Sequence, residues 1–284
     1  MSLSTSIALI GYATLDFIAR ADGALQPEGT NAIRIADQGW PRIGGAPVYA
    51  GEALLHAGHD ATLIANIGAD APGATMIDHL RQRGFATDAL VQSAACRTPV
   101  CVLIHRPDGH YCCFLDRGDA VATGLSASQK AAIQRADWIV VSAGQSSMAE
   151  EALSLMRAGQ KLAWIVKADA TSFPGALRDT LRQRAAIIFL NRHERDFLGS
   201  NTDGFPAHQL VFETDGERGV HIHHRGRSVT LSTAMLDTMD TTGAGDTFAG
   251  ATLAALIADG EAVAEAAYAG LAAATKLLAQ RQPR

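Results

Sequence analysis

The stretch "DTTGAGDTFAG", residues 240–250, sets two carboxylates, Asp240 and Asp246, around small and hydroxylated residues. An apolar segment from Phe248 to Ala258 follows at once, so the spacing predicts a helix over 244–258. Thr242-Gly243-Ala244-Gly245 then forms a turn of minimal bulk at the helix start. The first N–H groups of a helix lack intrahelical acceptors and attract anions, and small residues let a ligand approach them. An anion there gains about 0.3–2 kcal/mol from the helix dipole. Asp246 lies in the first helical turn, where it would compete with a bound phosphate for the same donors. The arrangement is sensible if Asp246 is a base. It would take the proton of an attacking hydroxyl while the amides of Gly243, Ala244 and Gly245 neutralise a phosphoryl group in transfer. The same residues also read as a plain acidic helix N-terminus after a glycine-rich turn.

Working outward, strand-like and helix-like segments alternate. Strands are expected at Thr5–Gly11, Ala61–Gly68, Asp137–Ser142, Lys161–Lys167 and Ala186–Leu190, and further strands at His208–Glu213, Gly219–His224 and Arg227–Ser232. Helices are expected at Ala46–Ala57, Gly73–Arg83, Ser126–Arg135, Ser147–Ala158, Pro174–Arg184 and Glu261–Leu278. Such alternation predicts an α/β fold, a three-layer sandwich with a mostly parallel central sheet covered by helices. Ligands of such sheets bind beyond the carboxyl ends of the strands, which puts strand-exit residues under suspicion. Two stretches break the pattern. Tyr12–Ile43 has no helical periodicity, and "TPVCVLIHRPDGHYCCFLDRG" reads as a hairpin turning at Pro107-Asp108-Gly109. Both exceed ordinary connections. They are expected to form a small β-sheet lid, from insertions near 12–43 and 96–117, on a single domain spanning 1–284.

The chain has 284 residues, 48% apolar and 19% charged, with a net charge of −5. That balance is globular, and it argues against nucleic-acid and anionic-membrane partners, which need a basic face. No apolar run is long enough to span a membrane. "MSLSTSIALIGYATLD" lacks the features of a signal peptide, so a cytoplasmic protein is expected. Cys96, Cys101, Cys112 and Cys113 make no C-x-x-C pair and read as reduced, mostly buried thiols. His221 and His223 would share a strand face, with His224 beside them. No third ligand at metal spacing follows, so a solvated strand edge is expected.

The 240–250 string closely resembles the signature of the ribokinase-like (PfkB) family of sugar kinases, D-T-T-G-A-G-D-x-F, at every specified position. The resemblance implies a ribokinase-like fold with Asp246 as catalytic base and Gly243, Ala244 and Gly245 as anion hole. Other matches extend it over nearly the whole chain. Gly44-Gly45 resembles the N-terminal signature whose glycines approach the sugar, supported by the flanking "GHDATLIANIGAD". Asp16 matches the acceptor of sugar hydroxyls; by itself it reads as a turn residue. "NRHE", Asn191 to Glu194, resembles the N-x-x-E motif that arranges Mg2+-bound water and phosphate, and it also has the spacing of a helix capping box. "TDGERG" fits the T-x-G-x-x-G turn along the nucleotide through Thr214, Gly216 and Gly219, and also reads as an ordinary hairpin turn. Asp240 and Thr242 match half of a monovalent-cation site, which makes K+ a candidate cofactor beside ATP and Mg2+.

The chain departs from the family pattern in places. Tyr49 stands where an asparagine usually follows the glycine pair. In "DATSF", Phe173 replaces the arginine that meets the carboxylate of acidic keto-sugars. Arg117 in "YCCFLDRGDA" reads either as pocket-facing or as a surface arginine. After "AAATKLLAQRQPR" there is no Gly-containing tail to complete a cation site, so activation by potassium is in doubt. No Walker A string occurs. The resemblance implies ATP-dependent phosphoryl transfer to a small sugar or sugar-like alcohol. A nucleoside kinase is the alternative, with Phe17, Trp40, Tyr49 and Tyr111 either stacking on a base or forming lid core. A non-catalytic sugar or nucleotide sensor is a third reading, and a dinucleotide oxidoreductase fits poorly because the third glycine of G-x-G-x-x-G is missing. Exposed lid strands favour a homodimer through the lid.

Overall fold

The first strand, Ser6–Ile10 (β1), is apolar on both faces, and in the computed structural model Ile7 and Leu9 belong to one core while Ala8 and Ile10 belong to a second. The structure describes residues 4–35, 41–107, 110–118, 124–199, 205–233, 240–260 and 262–281. Three short strands follow β1, at Thr14–Ala21 (β2), Ile33–Ile35 (β3) and Arg42–Gly44 (β4). Next come helix Ala46–His56 (α1), strand Asp60–Gly68 (β5), helix Ala71–Gln82 (α2) and strand Leu90–Ser93 (β6). Val100–His105 (β7) and Tyr111–Asp116 (β8) form the hairpin. The alternation continues with Ala127–Arg135 (α3), Trp138–Val141 (β9), Ser146–Leu155 (α4), Lys161–Ile165 (β10), Gly175–Arg184 (α5) and Ile187–Asn191 (β11). Leu210–Thr214 (β12), Val220–His224 (β13), Arg227–Leu231 (β14), Ala244–Ala258 (α6) and Val263–Ala279 (α7) complete it.

Among the described residues, the main sheet has nine strands in the order β14-β13-β12-β11-β10-β9-β1-β5-β6. It is parallel from β6 to β12, and β13 and β14 add an antiparallel edge. Helices α1, α2, α6 and α7 contribute to the core on one face, and α3, α4 and α5 to the core on the other. Because both faces are covered, the central strands read as continuous apolar runs rather than alternating ones. Full burial of each such Leu, Ile or Val side chain contributes roughly 1.5–3 kcal/mol. Strand β6 was not expected: its four residues at the sheet edge carry too little pattern to register in sequence.

The stretch without helical periodicity resolves into β2, β3 and β4. With β7 and β8 these form a second sheet in the order β3-β2-β7-β8, with β4 also paired to β2. The turn residues Asp108 and Gly109 of the hairpin lie outside the described residues, as does Trp40. Asp70 joins the two sheets. Its carboxylate caps α2 at the Gly73 N–H (2.8 Å) and accepts from the Thr98 N–H (2.9 Å) and hydroxyl (2.5 Å), just before β7. No helix is long and apolar enough to cross a membrane among the described residues.

Two expectations are corrected. His221 and His223 do not lie on a strand edge, because β13 is paired on both sides. Instead they lie beside acids, His221 Nε2 3.8 Å from Asp215 Oδ2 and His223 Nε2 3.5 Å from Glu213 Oε2. Of the four free thiols only Cys101 is buried; Cys96 and Cys112 are half-buried and Cys113 is exposed. Cys112 and Cys113 lie on β8, the edge strand of the small sheet, and Cys96 lies in the connection between β6 and β7.

Candidate active site

The strands of the main sheet end under the small sheet, around one cavity of 830 Å³. Residues at the exits of β1, β10, β11 and β12 line it (Tyr12, Lys167, Asn191 and Thr214), in agreement with the expectation for strand exits.

Gly243 stands at the head of α6 in the left-handed region, with φ of 75°. A Cβ there would lie 2.6 Å from the Tyr49 ring, so this helix start can exist only with glycine against Tyr49. The turn is partly self-satisfied. The Ala244 N–H donates to the Thr241 carbonyl (3.1 Å), and the Thr247 N–H donates to the Gly243 carbonyl (2.8 Å). Of the three expected anion donors, Ala244 is therefore engaged internally. The Gly243 and Gly245 amides have no internal acceptor among the described residues. A Cβ on Gly245 would meet nothing within 4 Å, so a ligand has room to reach that backbone.

Asp246 lines the cavity and is 7% exposed. Its Oδ1 is 2.9 Å from Lys167 Nζ. Burial works against the Lys167 ammonium, but the charges of Asp246 and Glu194 outweigh it and hold the group above the usual lysine range. Sequence reading missed Lys167. Its signal was position alone, a charged residue just past the apolar run of β10.

Asp16 lies on β2, opposite Arg42 on β4, and faces the cavity at 3% exposure. Its Oδ1 accepts the Thr14 hydroxyl at 2.6 Å. Burial, with a contribution from Asp246, raises its carboxyl to about 6; Thr14 and Arg42 pull the other way. Gly44 makes room for it, since a Cβ there would lie 1.9 Å from Asp16 Oδ2. Gly45 makes room for the chain itself, with φ of 96° and a would-be Cβ 2.1 Å from the Tyr12 carbonyl oxygen. The glycine pair thus seats the carboxylate, and only Gly45 itself lines the cavity.

Arg117 also lines the cavity, half-buried, with its guanidinium on Asp169 (3.0 and 2.9 Å). Of its two readings the structure realises the pocket-facing one. Asp169 accepts in addition from Thr171 N–H and Ser172 hydroxyl (3.0 and 2.8 Å). Phe173 turns into the core against Trp164, with ring centroids 5.4 Å apart. Of the aromatics weighed for stacking, Tyr49 and Tyr111 line the cavity, and Phe17 packs toward the main core.

Asn191 and Glu194 form the capping box. Asn191 Oδ1 accepts the Glu194 N–H (3.0 Å) and Glu194 Oε2 accepts the Asn191 N–H (2.8 Å). Glu194 is buried, which raises its carboxyl despite Lys167 nearby. A buried carboxylate beside an amide is a donor set that a hard, water-retaining cation suits, and Mg2+ would offset the cost of that burial. Thr214, Gly216 and Gly219 line the cavity in the turn joining β12 to β13. Leu271, Ala274, Thr275 and Leu278 of α7 supply a mostly apolar wall at helical spacing.

Asp240 and Thr242 do not fit a monovalent cation. Asp240 Oδ2 accepts from Arg42 Nη2 at 2.5 Å, and Arg281 Nη1 lies 3.6 Å from Oδ1. Arg281 also donates to the Thr242 carbonyl. Asp240 is buried, yet Arg281 and Arg42 hold its carboxyl below the usual range. Two guanidinium groups already supply the positive charge, so no role is derived for potassium.

Comparison with known proteins bears on the family and the fold. The sequence is 25% identical over 271 residues to the ATP-dependent ribose-1-phosphate kinase of Halopiger xanaduensis, covering 91% of this chain and 87% of that protein. The nucleoside kinase of Methanocaldococcus jannaschii superposes with a TM-score of 0.79 at 16% identity, over 96% of this chain and 91% of the other. The ADP complex of ribokinase from Cryptococcus neoformans var. grubii serotype A gives 0.77 at 20% identity, over 97% and 94%. At these identities the two structures show the shared fold. Residues 4–284 match the PfkB family model, pfkB family carbohydrate kinase. The chain therefore belongs to the PfkB family of carbohydrate kinases, enzymes that transfer a phosphoryl group to an alcohol.

Proposed function

We propose that the protein is an ATP-dependent kinase that moves the γ-phosphoryl group to a hydroxyl of a small sugar or sugar-like alcohol. One observation carries this reading: two buried carboxylates, Asp16 and Asp246, face one cavity at the head of α6, where the Gly243 and Gly245 amides are unspent. In this reading Asp16 accepts the acceptor's hydroxyl groups beneath the small sheet, which serves as the lid, and Arg117 borders the same half. Asp246 takes the proton of the attacking hydroxyl, and the two amides face the migrating phosphoryl. The nucleotide lies between Thr214–Gly219 and the α7 wall. Asn191 and Glu194 would hold Mg2+ through water, and the bound ion would neutralise phosphate charge. Closure of the lid would exclude water and limit ATP hydrolysis. The exposed Ile33, Ile35 and Phe114 on the small sheet support a homodimer through it.

A nucleoside acceptor is the second reading. It is favoured by the lid's inner face, where Cys101, Leu103 and Leu115 offer an apolar surface next to Tyr12 and Tyr111. A panel of sugars, sugar phosphates and nucleosides assayed for ADP release separates the two. Asp246→Asn should lower kcat by about 10²–10⁴ with the acceptor KM nearly unchanged, because a proton acceptor is lost and not a binding contact. Near-normal turnover of that variant would remove Asp246 from the base role.

A further inference from the structure

Among the described residues Arg117 and Lys167 line the cavity, and Arg42 and Arg281 stand beside it on Asp240; the partners of these four cations differ in kind. Arg117 is matched by Asp169, and Arg42 and Arg281 by Asp240. Those carboxylates keep their charge through a phosphoryl transfer. Lys167 is matched by Asp246, the group that loses its charge when it takes up the acceptor's proton. Lys167 sits two residues past β10, 35% exposed on the cavity side, and feels both Asp246 and Glu194 on the phosphate-binding side. Tyr111 of the small sheet faces it from above.

The geometry points to Lys167 as a further catalytic residue: its ammonium leaves the Asp246 carboxylate as that group is protonated and takes the oxygens of the phosphoryl in transfer. The inference rests on the kinase reading above. The acceptor O–H bond breaks and its proton goes to Asp246. The oxygen's electron pair forms the new bond to the γ-phosphorus. The bond from that phosphorus to the bridging oxygen breaks, and its electrons stay on ADP. Lys167 remains protonated throughout, compensated first by the carboxylate and then by the phosphoryl oxygens. A fixed donor in a water-poor site stabilises such charge far more than it would in water.

Lys167→Met removes the charge at similar length, and Lys167→Arg keeps it. The methionine variant should lose about 10²–10³-fold in kcat with little change in acceptor KM, and arginine should restore part of it. Calorimetric titration of the full chain adds a reading independent of turnover. The affinity for AMP-PNP, which carries a γ-phosphoryl, should fall in Lys167→Met, and that for ADP should not. Lys167→Gln serves the same purpose if the methionine variant does not fold. A neutral variant that turns over at the wild-type rate, or one that weakens ADP and AMP-PNP equally, overturns the assignment. A wild-type enzyme that phosphorylates no acceptor defeats the kinase reading alone, and the two titrations then decide Lys167 separately.

Discussion

Replacing Asp16 with asparagine keeps the side chain's shape and an oxygen for the Thr14 hydroxyl, and removes only the ability to ionise. Burial raises the Asp16 carboxyl from 3.8 to about 6, and the site is 3% exposed, so solvent screening discounts little. The shift is roughly two units, and one unit corresponds to about 1.4 kcal/mol, so ionised Asp16 costs the native state about 3 kcal/mol. The sign follows from proton counting. Between pH 3.8 and about 6 the native protein binds more protons at this position than the unfolded chain, so this contribution to stability falls as pH rises. The contribution is intact below 3.8 and gone above about 6. Asparagine carries no such dependence. Asp16→Asn should therefore match wild type near pH 4 and exceed it by about 2–3 kcal/mol at pH 8. Urea unfolding followed through the buried Trp138 and Trp164 at several pH values reads this difference directly. Acceptor turnover should fall in the same variant, because a buried carboxylate kept at a cost to folding is what binding hydroxyl groups requires. A variant less stable than wild type at pH 8, or a gain of equal size at pH 4, would refute the reasoning.

Two further outcomes are expected. Initial rates in potassium chloride and in choline chloride at equal ionic strength should coincide, because Arg42 and Arg281 already neutralise Asp240 and Arg281 holds the Thr242 carbonyl; stimulation by potassium would contradict this. Gly44→Ala should cost about 10²-fold in kcat/KM, since its Cβ would lie 1.9 Å from Asp16 Oδ2 and must displace that carboxylate by an ångström or more; steady-state kinetics beside a melting curve tests it.

Much of the architecture was legible in the chain itself. Continuous apolar strands such as Ile7–Ile10 and the helices between them announce a sheet covered on both faces, because period and run length are local properties. The capping boxes at Ser126 and at Asn191 are local in the same way. The string from Asp240 to Phe248 carried the family resemblance, and its helix begins at Ala244 as its spacing predicts. Strand β6 escaped because four residues at an edge hold too little pattern, and β13 was taken for an edge because β14 could not be placed beside it from sequence.

What only the tertiary structure decided are the pairings between distant segments. Tertiary packing sets Lys167 against Asp246, fills the expected cation position with Arg42 and Arg281, and reveals that Gly44 is small for the sake of Asp16. α7 likewise becomes a cavity wall only once it packs against α6. The sequence by itself determined most elements of the main sheet and its helices, their order and the phosphoryl-transfer string, since each arises from contacts among near neighbours. Which charge neutralises which depends on how those elements close in space, and charges act through distance, which the order of residues does not record.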